Sequence, residues 1–178
     1  MNLIILLELS SGGVLILSLS VSCGQDQSAH RVKFRSAAKI MNIDYKINVP
    51  ISTDQFIELL SESTLGERRP IDDRECMEGM VKNCNLMVTA WHGEELIGIA
   101  RSMTDFHYAC YLSDLAVHKK YQRSGIGKKL QAITQEELGP RCKLILVAAP
   151  AANTYYEHIG FTNNKRCWVL DREQSISS

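Results

Sequence analysis

Hydrophobic positions change their period several times along the chain, and each change marks an element. Residues 43–49 alternate apolar and polar, as a half-buried strand does. Ser52 then opens a helix. Gln55 completes a capping box, Ile51 and Phe56 suit a hydrophobic staple, and Phe56, Leu59 and Leu60 form the inner stripe. Gly66 and Pro70 break the chain, and Asp72 with Glu75 predicts a second helix carrying Cys76, Met77, Met80 and Val81. Residues 86–91 and 96–103 read as strands around a turn at His92-Gly93-Glu94-Glu95, and residues 108–117 (YACYLSDLAV) as the next strand. Ile126, Leu130, Ile133 and Leu138 lie near one helix face before Gly139-Pro140 ends it. Residues 142–148 are a continuous apolar run, as in a buried parallel-type strand. A short helix follows Pro150, and residues 167–170 read as a last strand. The predicted order is β-α-α-β-β-β-α-β-α-β, a mixed α/β sheet with parallel and antiparallel parts.

The first forty residues differ from the rest. Residues 1–22 are mostly Leu, Ile, Val and Ser, and residues 24–39 are polar. No Lys or Arg precedes Arg31, and Glu8, Ser10, Ser11, Gly12 and Gly13 interrupt the apolar run, which suits neither a signal peptide nor a spanning helix. Ser20-Val21-Ser22-Cys23 has a weak likeness to a lipoprotein cleavage box, whereas Met41 reads as a start leading straight into the first strand. The expected division is an extension over 1–40 outside the domain, one domain over 41–172, and a polar tail over 173–178. Lys plus Arg equal Asp plus Glu at 20 each, so charge points to no nucleic-acid or membrane partner. The six cysteines form no C-x-x-C pair and no cluster with the five histidines. Buried reduced thiols are expected, with neither a metal site nor a cysteine nucleophile.

The strand ending Leu115-Ala116-Val117 runs into Tyr121-Gln122-Arg123-Ser124-Gly125-Ile126-Gly127-Lys128. A strand, a turn with two glycines and a helix start can hold a diphosphate: free N–H groups and the helix dipole face the anion, and glycine lets the backbone come close. Arg123 and Lys128 add countercharge, with Lys119, Lys120 and Lys129 nearby. A P-loop would need Gly where Gln122 stands and Ser or Thr where Lys129 stands. A dinucleotide fingerprint would need a small residue in place of Leu130. The spacing that fits is Gln-Arg-x-Gly-x-Gly. About one strand later, residues 152–161 (ANTYYEHIGF) follow an Ala-x-x-aromatic-Tyr-x-x-x-Gly-Phe pattern.

With these two motifs in this order, the chain resembles the GNAT superfamily of acetyl-CoA-dependent N-acetyltransferases over roughly residues 43–170. An Asn that the family carries at the position of Ala149 is missing. The resemblance implies a single GNAT-type domain: a mixed twisted sheet of about six to seven strands flanked by about four helices. It implies acetyl-CoA as co-substrate, with Gln122, Arg123, Ser124, Gly125, Ile126, Gly127 and Lys128 around the pyrophosphate. Leu115, Ala116 and Val117 would bond the pantetheine arm, and Tyr156 would be the acid toward the coenzyme sulfur.

Acetyl transfer to an amine needs a proton removed from the amine, a donor for the oxyanion and a proton for the leaving thiolate. A backbone N–H near Leu115 to Val117 is the expected oxyanion donor. Strand alternation sets Tyr111, Ser113 and Leu115 on one face and Leu112, Asp114 and Ala116 on the other. Members of the family often place the base, or residues holding a water, two to four positions before the Leu115-Ala116-Val117 triplet on the pocket face. The resemblance thus nominates Ser113 and Tyr111 to relay the proton through water, and Asp114 reaches the pocket as a base only if a β-bulge shifts the register. Arg68 or Arg69 is a candidate clamp for an acceptor carboxylate, with His107, Tyr108 and His158 as further candidates. The expected activity is N-acetylation of a primary amine on a small molecule. A protein or peptide acceptor is one alternative, and a non-catalytic acyl-CoA sensor is the other. The family resemblance leaves a homodimer open. Use of an intracellular metabolite points to the cytoplasm, with export or anchoring through residues 1–23 as the other reading.

Overall fold

The computed structural model describes residues 4–9, 15–20 and 42–177, the first two segments by their backbone alone. Contacts divide the chain into two units, Met1–Lys39 and Ile40–Ser178. In the first unit, strands β1 (Ile4–Leu9) and β2 (Leu15–Ser20) pair antiparallel. The segments around the cleavage-box likeness at residues 21–23 and the start at Met41 lie outside the described residues.

The second unit holds strand β3 (Asp44–Ile47), helices α1 (Thr53–Ser61) and α2 (Arg74–Lys82), strands β4 (Leu86–His92), β5 (Glu95–Thr104) and β6 (Ala109–Val117), helix α3 (Ile126–Glu136), strand β7 (Lys143–Ile145) and helix α4 (Asn153–His158). The sheet order is β3-β4-β5-β6-β7, antiparallel except for the parallel pair β6–β7. Helices α1 and α2 cover one face. Phe56, Leu59, Leu60 and Met77 pack there against Met87, Trp91, Ile99 and Ala116. Helix α3 covers the other face, where Ile126, Leu130 and Ile133 meet Val88, Ala90, Ile97, Ala100 and Leu112. Fully burying one such side chain stabilises the fold by about 1.5–3 kcal/mol.

Local chemistry sets most boundaries. The capping box at α1 is complete: Gln55 N–H donates to Ser52 Oγ at 3.1 Å, and Ser52 N–H donates to Gln55 Oε1 at 2.9 Å. The cap of α2 is Asp73, one residue later than the expected Asp72, because Asp73 is the one whose carboxylate takes the Cys76 N–H, at 3.0 Å. Strand β3 ends at Ile47, short of the expected Val49, as Asn48 turns to a φ of 51°.

Two expectations are corrected at the far edge of the sheet. The run 142–148 forms a strand only over Lys143–Ile145, since pairing with β6 stops at Tyr111. Residues 167–170 form no strand and Trp168 stands 91% exposed, so the main sheet has five strands rather than six or seven. Among the described residues, no helix is long and apolar enough to cross a membrane.

Candidate active site

Strand β6 carries the feature that opens the site. Arg101 on β5 faces Asp114, yet the next residue, Ser102, faces Leu112, so Ser113 is an extra residue in β6. This β-bulge bends the strand and reverses its alternation. Leu112 and Leu115 both pack on the α3 side, whereas Ala116 packs under α1. The simple alternation expected for residues 111–116 is therefore corrected at Ser113.

Beyond the bulge, β6 has a free edge. Its ladder to β7 covers only Ala109–Tyr111. On the other side, His118 N–H donates to Ile97 O at 2.9 Å, which fixes the antiparallel phase. Ala116 accordingly pairs with Ile99, while Leu115 and Val117 turn their N–H and C=O groups toward the open edge. The Val117 carbonyl accepts a hydrogen bond there from Gln122 Nε2 at 3.0 Å.

The turn after β6 leads into an uncapped helix. Gly125 stands before the first turn of α3 at a φ of 86°, with no side-chain cap. Arg123 also has a positive φ, 61°. The first backbone bond of α3 runs from Lys129 N–H to Gly125 O at 3.0 Å, so the preceding N–H groups of the turn face outward. A Cβ at Gly125 would meet no heavy atom within 4 Å, and one at Gly127 only Val117 Cγ2 at 3.7 Å. The two glycines thus leave open space beside donors, which fits a diphosphate. Ser124 Oγ donates to the Tyr121 carbonyl and braces the turn. Arg123 and Lys128 are exposed beside it.

A cleft of about 500 Å³ joins these parts. It is lined by Leu115, Ala116, Val117, Gln122, Arg123, Gly125, Ile126, Gly127 and Lys128, and by Tyr156 across from them. Tyr156 is half-buried and packs edge-on against Tyr155 and Phe161, with ring centroids 5.3 and 5.4 Å away. Burial pushes its phenol above the ordinary value, and Tyr155 adds to this. It therefore stays protonated at neutral pH, as a proton donor must.

Asp114 is fully buried, and both of its oxygens are taken. Arg69 Nε donates to Oδ1 at 2.6 Å, and Arg101 Nε to Oδ2 at 2.5 Å. The bulge on which a base at this position depended is present, and the shifted carboxylate lies between two guanidinium groups. Arg69 is likewise engaged, with its Nη2 donating to the Ser113 carbonyl at 2.8 Å. Ser113 Oγ accepts from Arg101 Nη2 at 3.0 Å, which leaves its own hydrogen free. Tyr111 is 39% exposed. His107, Tyr108 and His158 are also exposed and, like Tyr111, Ser113 and Asp114, are not among the residues that line the cleft.

Sequence reasoning missed Ser63, Thr64 and Leu65, which close the cleft from the loop after α1, and Tyr155, which lines it beside Tyr156. Arg101 was missed too. Its signal was available: an arginine inside the apolar run of residues 97–103 needs a buried partner.

Residues 62–168 match the family model described as Acetyltransferase (GNAT) domain. The chain belongs to the GNAT acetyltransferases. As a GNAT protein it is an acyltransferase that uses an acyl-CoA donor. It is 26% identical over 140 residues to an uncharacterized N-acetyltransferase ycf52 of Gracilaria tenuistipitata var. liui, covering 71% of this chain and 77% of that protein. The crystal structure of a putative acetyltransferase from Deinococcus radiodurans R1 has a TM-score of 0.62 at 18% identity, covering 78% of this chain and 94% of that one. An aminoglycoside N-acetyltransferase, AAC(6')-Iy, solved with CoA has a TM-score of 0.57 at 16% identity, covering 75% and 96%. At these identities the two structures speak for the GNAT fold.

Proposed function

We propose that this GNAT acetyltransferase moves an acetyl group from acetyl-CoA to a primary amine of a small molecule, by direct attack through a tetrahedral intermediate. One observation carries the reading. The free edge of β6, the uncapped start of α3 and the Tyr156 phenol line a single cleft. A coenzyme diphosphate at Gly125 to Lys128 would lay its pantetheine arm along Leu115 and Val117, as an added strand. Its thioester would then lie toward Ser113 and Tyr156. That a CoA complex exists for a protein of the same fold supports this placement.

The amine nitrogen attacks the thioester carbon, and the carbonyl oxygen gains negative charge. The Leu115 N–H, unpaired on the open edge, is the donor for that oxyanion. The C–S bond breaks, and the Tyr156 phenol gives its proton to the departing sulfur. The proton lost by the amine leaves through water held at Ser113 and Tyr111, since Asp114 is fully buried and paired with two arginines. Arg69 draws the linker between α1 and α2 onto β6, which narrows the approach and favours a small acceptor over a protein chain.

Thiol release from acetyl-CoA, followed with a panel of small amines, tests the reading. Tyr156→Phe should slow transfer to the active amine by about 10²–10⁴-fold at unchanged coenzyme affinity. Binding of acetyl-CoA without transfer to any amine, and no effect of Tyr156→Phe, would leave a sensor of acyl-CoA instead.

A further inference from the structure

The buried charge at the bulge takes no part in the bond-making and proton-transfer steps just described. Asp114 is fully buried and the Arg101 side chain is 6% exposed, while Arg69 is 25% exposed. Together they carry one negative and two positive charges. A buried ion pair is often no better for stability than apolar side chains of the same volume. What distinguishes this one is where its donors go. Arg101 Nη2 holds the Ser113 hydroxyl at 3.0 Å, and Arg69 Nη2 holds the Ser113 carbonyl at 2.8 Å. Arg101 Nη1 also donates to the Met80 carbonyl at 3.0 Å, and Arg69 Nη1 to the Arg68 carbonyl at 2.8 Å. The extra residue of β6 is thus gripped from two sides, by Arg101, which is tied to α2 at Met80, and by Arg69 of the linker between α1 and α2.

Building on the acyl-transfer reading, we propose that Arg69, Asp114 and Arg101 are positioning residues: they lock the bulge at Ser113, and so aim the Leu115 N–H at the thioester carbonyl. A bulge is an offset of one residue, and a strand that loses it turns its groups to the opposite edge. The ladder to β5 sets which edge the Leu115 N–H faces, and the grip on Ser113 fixes where along β6 the offset falls and so how that N–H is aimed. The linker between α1 and α2 sits over the acceptor's approach and shares Arg69 with the bulge. A shift of that linker is therefore felt at the oxyanion donor.

The test is the carbonyl stretch of acetyl-CoA carrying ¹³C at the thioester carbon, read by difference infrared spectroscopy on the full chain. Calorimetry with coenzyme A runs beside it. In the unaltered protein the band should fall below its position in free acetyl-CoA, because an aimed donor polarises the carbonyl. Arg69→Gln keeps the Arg101–Asp114 pair and hence the core. It should lose most of that downshift, bind coenzyme A as before, and transfer acetyl to the amine found in the panel about 10²-fold more slowly. Arg69→Lys should not rescue it, since an ammonium cannot span Asp114 and the Ser113 carbonyl as the planar fork does. An unchanged band in Arg69→Gln would overturn the proposal. So would coenzyme affinity falling in step with transfer, which would make the cluster a brace for the fold. A band unshifted even in the unaltered protein would refute the aimed donor. Failure of that protein to take up acetyl-CoA would strike the acyl-transfer reading itself.

Discussion

Replacing Gly127 by alanine should move stability and coenzyme affinity in opposite directions. Gly127 is the second residue of α3 and has no positive φ, so alanine fits its backbone. The added Cβ would meet Val117 Cγ2 at 3.7 Å, an ordinary contact. In a helix, alanine is favoured over glycine by roughly 0.5–1 kcal/mol. For a domain of this size the melting temperature should rise by on the order of 2–4 °C. The same methyl enters the cleft where the diphosphate is expected. Losing one hydrogen bond to a charged oxygen costs about 1.5–3 kcal/mol. Affinity for coenzyme A should then fall roughly 10- to 150-fold. Calorimetry with coenzyme A and thermal unfolding without it give the two numbers. Gly93→Ala is the control. Gly93 has a φ of 62° in the β4–β5 turn, and a Cβ there meets nothing within 4 Å. It should lose about 1–2 kcal/mol of stability and leave the affinity untouched. An unchanged affinity in Gly127→Ala would refute the diphosphate cradle. Weaker binding together with a lower melting temperature would make Gly127 a packing requirement instead.

Gly139→Ala should destabilise the fold by about 1–3 kcal/mol, measured by denaturant unfolding, because its Cβ would come within 2.7 Å of the Phe106 carbonyl. Asp105 accepts N–H bonds from Tyr108, Ala109 and His107, which hold its carboxyl down at about 2. A depressed carboxyl stabilises the folded state above its ordinary value near 4 and loses that contribution as pH falls through about 2. Acid unfolding in this window should therefore flatten in Asp105→Asn. Burial raises Tyr45 and Tyr156, and the hydrogen bond to Glu95 raises Tyr121. A raised phenol favours the folded state below about 10 and withdraws that preference as pH climbs past it, so unfolding should set in on the alkaline side of about pH 10. A chain begun at Met41 should fold and bind coenzyme A, checked by circular dichroism and calorimetry; an unfolded product would make residues 1–40 part of the domain.

What could be read from the letters followed from how few residues fit a position. Only a hydroxyl or a short acid or amide caps a helix well, so Ser52 with Gln55 announced α1. Only glycine sits comfortably at a φ of 86°, so Gly125 announced the turn before α3. The apolar stripes of α1 and α3 reported their buried faces directly. Strand partners left no such mark. Residues 167–170 carry good strand formers, yet a strand needs an edge to pair with, and propensity supplies none. Asp72 and Asp73 are the same residue type, so only the reach to the Cys76 N–H decides between them. The bulge entered the sequence reading only as a condition on Asp114, and nothing in the letters placed it. Its extra residue is a serine, which adopts the bulged conformation without any special composition.

That single inserted residue explains why Asp114 was nominated for one role and takes another. A bulge was the condition on which Asp114 could serve as a base, and the bulge is present, yet the shifted carboxylate meets two guanidinium groups. Ser113 lengthens β6 by one residue relative to β5, which turns Asp114 toward Arg69 and Arg101. The same mismatch accompanies the end of pairing with β7 and leaves Leu115 and Val117 facing an open slot. In a regular β6, Asp114 would share a face with Leu112, which packs on the α3 side. Both arginines follow from the bulge: once the carboxylate is buried on the α1 side, two donors must come to it, and both also reach Ser113. Sequence and site are thus joined by a length mismatch between neighbouring strands, and Asp114, which looks catalytic in the letters, pairs beside that mismatch with two arginines that both reach its extra residue.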